Sequence, residues 1–136
     1  MGSSSLQWSG PILAYLGNLD EALKRIAVYQ RNSPLHFEAS REVLVDVFYM
    51  AHRYQDAIEA FQSWRDPPIH MWCELAAAHA QIGQMNESRA AVATFENSKP
   101  EGYDVATFCR VHARMCRRPE DAEHWLEGYR KAGLIT

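Results

Sequence analysis

Four short strings with a small residue at the same place recur along the chain, and they constrain its fold more than any other feature. Ala22, Ala57, Ser88 and Ala122 anchor these strings and are separated by 35, 31 and 34 residues. A period of this length is typical of an array of short units, each of which buries its apolar face against the next. Apolar residues recur at helical spacing within the units, and no long stretch alternates with a period of two. The sequence therefore predicts an all-α repeat fold.

Prolines and glycines mark the boundaries between the predicted helices, because proline lacks a backbone donor and is tolerated only in the first turn of a helix. We predict helices near residues 11–17, 20–31, 35–51, 54–65, 69–82, 85–97, 103–116 and 119–132. We also predict a disordered or tag-like lead over 1–10 and one repeat domain over 11–136, with units near 11–34, 35–68, 69–102 and 103–134.

The third unit has the residue pattern of a known repeat. Trp72 and Leu75 are followed by Ser88, Phe95 and Pro100 at the spacing of the tetratricopeptide repeat (TPR). Nearly the whole chain resembles this family. The resemblance implies a right-handed α-solenoid of helix-turn-helix repeats, with about three and a half to four repeats in a chain of this length.

Two segments are similar to a narrower family. Residues 67–83 (PPIHMWCELAAAHAQIG) and 118–134 (RPEDAEHWLEGYRKAGL) resemble the C-terminal TPR tails of bacterial adenylate/guanylate cyclase-like proteins. In that family the tail follows a cyclase domain or, in some members, a DNA-binding response domain. The resemblance implies a regulatory or assembly segment of a larger signalling protein, and it places any cyclase activity in a domain outside these 136 residues.

The first helix of each repeat lines a concave groove in a TPR stack, and such a groove accepts a helix or an extended peptide. Counting from the anchors gives a candidate partner-binding surface. Its residues are Glu42, Asp46, Tyr49, Met50, His70, Cys73, Gln81 and Arg114, and the same count places Val111 and Met115 on this face. The acidic and small residues here do not form the Lys/Asn/Arg clamp of TPR domains that bind a chaperone's C-terminal carboxylate. A second interpretation stays open, in which the face is solvated or is covered by another part of the parent chain.

Metal and catalytic sites are not predicted. Cys109, His112 and Cys116 share a helix face at i, i+3 and i+7, and these are ligand types that bind zinc. A fourth ligand is not evident, however, and free cysteine is commonly a small buried apolar residue. The GxGxxG, GxxxxGK[ST], HExxH and GxSxG motifs are absent. We therefore predict no catalytic residue, no cofactor and no metal.

Charge and cysteine content narrow the class of partner. The net charge is −3, which gives no reason to expect nucleic acid or an anionic membrane. The three cysteines are an odd number without a CxxC motif, and this favours the reducing cytoplasm. We expect a protein or peptide partner, which includes another domain of the parent chain. The competing hypothesis is a homo-oligomerisation module or a free-standing TPR adaptor.

Overall fold

The computed structural model describes residues 14–15, 17–32 and 41–136. Within these residues the chain is all-helical, with seven helices and no strand, so the all-α prediction is confirmed. The helices are α1 (Leu19–Asn32), α2 (Arg41–Met50), α3 (Tyr54–Gln62), α4 (Met71–Gln81), α5 (Met85–Ser98), α6 (Val105–Arg114) and α7 (Pro119–Lys131). The predicted lead over 1–10, most of the first predicted helix and the start of the helix predicted at 35 lie outside the described residues.

The helix ends follow from local sequence. The Asp104 side chain caps α6 by accepting a hydrogen bond from the Thr107 backbone N–H at 3.1 Å, as expected of an N-cap aspartate. Pro119 occupies the first turn of α7, where its missing N–H costs nothing. Gly83 lies between α4 and α5 with φ +77°, a conformation that glycine adopts without strain. These signals explain why the predicted and observed ends agree closely in the described residues.

Consecutive helices pack as antiparallel pairs. The pairs are α2 with α3, α4 with α5, and α6 with α7, while α1 contacts α2 and α3 contacts α4. Small residues such as Ala57, Ala76 and Ala91 lie in the core and let the helices approach closely. The Ser88 hydroxyl donates to the Ala76 carbonyl at 2.8 Å, which joins α5 to α4 and satisfies a buried hydroxyl.

The last pair departs from strict repeat packing. In a nearest-neighbour array each unit contacts only the units beside it. Helix α7 packs against α4 of the adjacent unit, but it also reaches α2, which lies two units away. Gly128 makes this approach possible, because a Cβ at that position would collide with the Tyr49 hydroxyl and press on Ala77. The α7 helix therefore covers part of the face that α2 and α4 share.

Candidate functional site

An open cleft of about 520 Å³ is formed by residues of α2 and α6 and by residues at and near the start of α4. Its volume lies within the range of pockets that bind small molecules or single side chains of a partner. The three walls differ in chemistry: α2 and α4 contribute carboxylates, and α6 contributes a histidine and apolar side chains. The cleft therefore combines an acidic floor with an apolar rim.

The floor contains two buried carboxyl groups, Asp46 of α2 and Glu74 of α4. Their residues are 6% and 2% exposed. One oxygen of each, Asp46 Oδ1 and Glu74 Oε1, is buried and has no hydrogen-bond partner in the described part of the chain. Burial raises the pKa of Glu74 well above its usual range, and the nearby Asp46 carboxyl adds to the shift. Since an uncompensated buried charge is costly, the Glu74 carboxyl is favoured in its protonated form.

His112 of α6 lies beside these carboxyls and is held by two tyrosines. The Tyr15 hydroxyl donates to Asp46 Oδ2 at 3.0 Å and lies 2.7 Å from His112 Nε2. The Tyr129 hydroxyl lies 2.7 Å from His112 Nδ1. Because the single Tyr15 proton goes to Asp46, this network assigns the ring proton to Nε2 and makes Nδ1 an acceptor for Tyr129. Burial lowers the pKa of His112, which is consistent with a neutral ring.

The rim of the cleft is more accessible than the floor. Val111 of α6 and Met115, directly after the end of α6, are 50% and 58% exposed, and both line the cleft. His70 Nε2 lies 3.7 Å from Glu42 Oε2, and the proximity of His70 lowers the pKa of Glu42. Glu42 thus carries a negative charge at the cleft entrance, beside two apolar side chains that water does not solvate well.

The predicted groove residues do not form one open surface. Glu42, Asp46 and His70 line the cleft, whereas Tyr49 and Gln81 contact α7 or each other. Gln81 donates to the Tyr49 hydroxyl at 3.1 Å and accepts from Lys131 Nζ at 3.1 Å.

The other three predicted residues lie elsewhere. Met50 and Cys73 are buried, and Arg114 is exposed on α6 outside the cleft lining. Burial keeps Tyr49, Met50 and Cys73 from contacting a partner in this conformation, and partner binding by the remaining residues stays a prediction.

Aromatic stacking attaches α7 to the α2 face. The Tyr49 ring stacks on Trp125 at a centroid distance of 3.9 Å and on His124 at 4.6 Å. The Tyr49 hydroxyl donates to the His124 carbonyl at 3.0 Å. A part of the predicted groove, at Tyr49, is therefore covered by helix α7 of the same chain.

The three cysteines do not form a zinc site with His112. Among the described residues, no cysteine sulfur belongs to the group of potential ligand atoms that includes His112. Burial raises the pKa of Cys73, Cys109 and Cys116 to about 12 in each case, so the thiols are protonated and poor ligands or nucleophiles. Among residues 14–15, 17–32 and 41–136, the metal-ligating atoms that do come together belong to Asp46, Glu74 and His112.

Sequence reasoning did not include Glu74 or Tyr15 in a site and did not place His112 beside carboxyl groups. Glu74 is the one carboxylate between Pro67 and Gly83, and a lone acid in an apolar helix signals a buried polar site. Tyr15 offers no such signal, because its contact with His112 spans 97 residues. Long-range pairings of this kind depend on how α6 folds back, which a repeat pattern does not specify.

Comparison of the chain with protein-family models, with curated proteins and with solved structures found no match. No helix among the described residues combines the length and apolar composition that crossing a bilayer requires.

Proposed function

We propose that this chain is a protein-interaction module whose cleft between α2, α4 and α6 binds a short segment of a partner protein. The exposure of Val111 and Met115 on one wall of a concave site carries the proposal. Single exposed apolar residues are common on surfaces, but two of them one helical turn apart at a cleft rim form an anchor surface for a partner's apolar side chain.

The negative charge at the cleft entrance determines which charged side chain the partner segment carries beside its apolar one. Glu42 is about half exposed at the entrance, and its lowered pKa keeps it negatively charged there. In the part of the chain that the structure describes, no lysine or arginine lines the cleft. Because complementary charge steers association and disfavours wrong partners, the segment that fits carries a basic side chain next to an apolar one.

The narrower assignment is part of the same proposal. We interpret the chain as a TPR-type segment, with a regulatory or assembly role in a larger bacterial signalling protein of the adenylate cyclase-like class. The antiparallel helix pairs and the small residues at their contacts support a repeat arrangement. The contact of α7 with α2 is the feature that a plain solenoid does not explain.

Two further assignments belong to this proposal. Three free, buried thiols are compatible with the reducing cytoplasm as the compartment. The raised pKa of each thiol supports a binding role over cysteine catalysis.

A peptide selection tests the proposed function. The full chain is used to select binders from a random peptide library, and the best peptide is measured by fluorescence anisotropy. We expect enriched peptides to carry a basic and an apolar residue. The double variant Val111→Ser/Met115→Ser should weaken binding at least about tenfold, since each side chain contributes on the order of 1 kcal/mol of buried apolar area.

Ile82 supplies the matched control, because it is 39% exposed but does not line the cleft. Ile82→Ser should leave the affinity unchanged. Equal binding by the wild type and the double variant would remove the cleft from the proposed role. Light scattering separates the competing hypothesis: a dimer that the double variant converts to a monomer would assign the apolar rim to self-association.

A further inference from the structure

Asp46, Glu74 and His112 form a buried cluster of potential metal ligands, and the surrounding described residues leave two of its carboxyl oxygens without a hydrogen bond. One ligand atom from each residue lies within 4.8 Å of the other two, and all three residues are more than nine-tenths buried. His112 Nε2 is 4.0 Å from Glu74 Oε2. Buried polar atoms nearly always have a partner, so three potential ligands this close together at the end of a cleft require an explanation.

Two carboxyl oxygens of the cluster, Asp46 Oδ1 and Glu74 Oε1, are buried and accept no hydrogen bond from a nitrogen or hydroxyl group of the described residues. None of the described residues that line the cleft is a lysine or arginine that could offset the carboxylates. A proton on Glu74 lets the two carboxyl groups share one hydrogen bond and removes one charge, but it leaves the charge of the other carboxylate buried. A divalent cation would neutralise both carboxylates at once and give the cluster a net charge of zero.

The donor set identifies the kind of cation. Two carboxylate oxygens and one imidazole nitrogen match first-row divalent transition metals, and zinc in particular, whereas calcium and magnesium prefer oxygen alone. Tetrahedral ligands at about 2.0–2.2 Å from zinc lie about 3.3–3.6 Å from one another. The cluster, whose atoms lie within 4.8 Å of one another, therefore closes on a metal by side-chain shifts of up to about 1.5 Å.

The neighbouring hydroxyls also fit a metal site. Tyr129 lies 2.7 Å from His112 Nδ1, and metal-binding histidines usually have such an outer partner that fixes the ring. The Tyr15 hydroxyl has to move away from Nε2 before a metal binds there. Binding replaces the proton of Glu74, which leaves to solvent, and moves the ring proton of His112 to Nδ1, where it is donated to Tyr129.

We propose that Asp46, Glu74 and His112 bind a divalent transition-metal ion, with Zn²⁺ as the best match, at the floor of the cleft. The two carboxylates and His112 Nε2 supply three ligands, and the cleft supplies water for the remaining position. This site goes beyond the proposed partner binding, which depends on the exposed rim.

Titration of the full chain tests the site. The protein is stripped with EDTA, and Zn²⁺ binding is measured by calorimetry and by thermal unfolding. We expect one equivalent to bind, and the midpoint to rise by about 8–12 °C at a hundred times Kd. Glu74→Gln should weaken binding at least about 100-fold, because removal of an outer partner alone costs 10–100-fold. The exposed control Glu101→Gln should bind like the wild type.

A second measurement uses the wild type and does not depend on whether Glu74→Gln folds. Co²⁺ bound at this site should show visible d–d bands without a thiolate charge-transfer band. The proposal is overturned by no saturable binding to the wild type, by equal affinities of Glu74→Gln and Glu101→Gln, or by a thiolate band that assigns the ion to the cysteines. Val111→Ser/Met115→Ser should retain the metal, which separates failure of this site from failure of partner binding.

Discussion

Replacement of Tyr49 by alanine tests whether α7 is packed against α2. Tyr49 is 0% exposed, and a buried aromatic side chain removes about 150–250 Å² from water. At about 25 cal/mol per Å² this gives an upper estimate of about 4–6 kcal/mol. Other large aromatic-to-alanine changes cost about 3–5 kcal/mol. We therefore expect Tyr49→Ala to lower the free energy of unfolding by about 4 kcal/mol, with a midpoint lower by about 12–20 °C.

A companion variant separates the ring from its hydroxyl. Tyr49→Phe retains the stacking on Trp125 and His124 but loses the bond to the His124 carbonyl and the bond from Gln81. We expect a loss of about 1 kcal/mol for this variant. The exposed residue Gln62 on α3 gives the control, and Gln62→Ala should stay within about 0.5 kcal/mol of the wild type.

The assay is urea unfolding followed by tryptophan fluorescence and far-UV circular dichroism. Tyr49→Ala within about 0.5 kcal/mol of the wild type would refute the packing of α7 on α2. The expected loss has a practical consequence for binding studies. Since Tyr49 stabilises the fold, its substitution is not a clean test of a partner groove, and Val111 and Met115 serve that purpose better.

Two remaining predictions concern the same interface. Gly128→Ala should destabilise the chain by about 1–2 kcal/mol in urea unfolding, because the added Cβ collides with Tyr49. The cost of this overpacking exceeds the gain in helix propensity of about 1 kcal/mol. A variant more stable than the wild type would contradict the close approach of α7 to α2. Burial and the neighbouring His52 lower the pKa of His124 to about 4. The unfolded chain therefore binds a proton at His124 more readily than the folded chain does. Stability that is present above about pH 6.5 is lost as the pH falls towards 4. His124 is partly solvated, so we expect about 1 kcal/mol of this loss after allowance for screening; His124→Gln should flatten the pH dependence of unfolding, and parallel profiles would contradict it.

Much of the secondary structure was predictable because its signals are local. Pro119 and Asp104 mark helix starts, because proline fits the first turn of a helix and aspartate caps it. Gly83 marks a turn, because glycine adopts a positive φ without strain. Helical periodicity then identifies the apolar faces without knowledge of their partners. For these reasons the ends of α1 and α3 to α7, and the C-terminal end of α2, could be placed to within three residues.

The cleft was only partly predictable. Counting along the repeat found Asp46 and His70 because both lie on the first helix of a unit or just before it. It did not find that Tyr15, Glu74 and His112 meet Asp46, since these four side chains come from four different predicted units. The repeat pattern did not predict how the last helix pair packs. That packing depends on the absence of a side chain at Gly128, where the Tyr49 hydroxyl approaches the backbone, and a single glycine gives no periodic signal.

The α2–α7 contact also bears on how the chain folds during its synthesis. Tyr49 and the His124 carbonyl that it bonds are 75 residues apart in sequence. Translation proceeds from the N-terminus at about 5–20 residues per second, so α2 emerges from the ribosome several seconds before α7 exists. Throughout that interval the aromatic ring of Tyr49 has no Trp125 to stack on. The nascent helices α2 to α5 therefore present an uncovered apolar face that is a natural target for chaperones until the last helix is made.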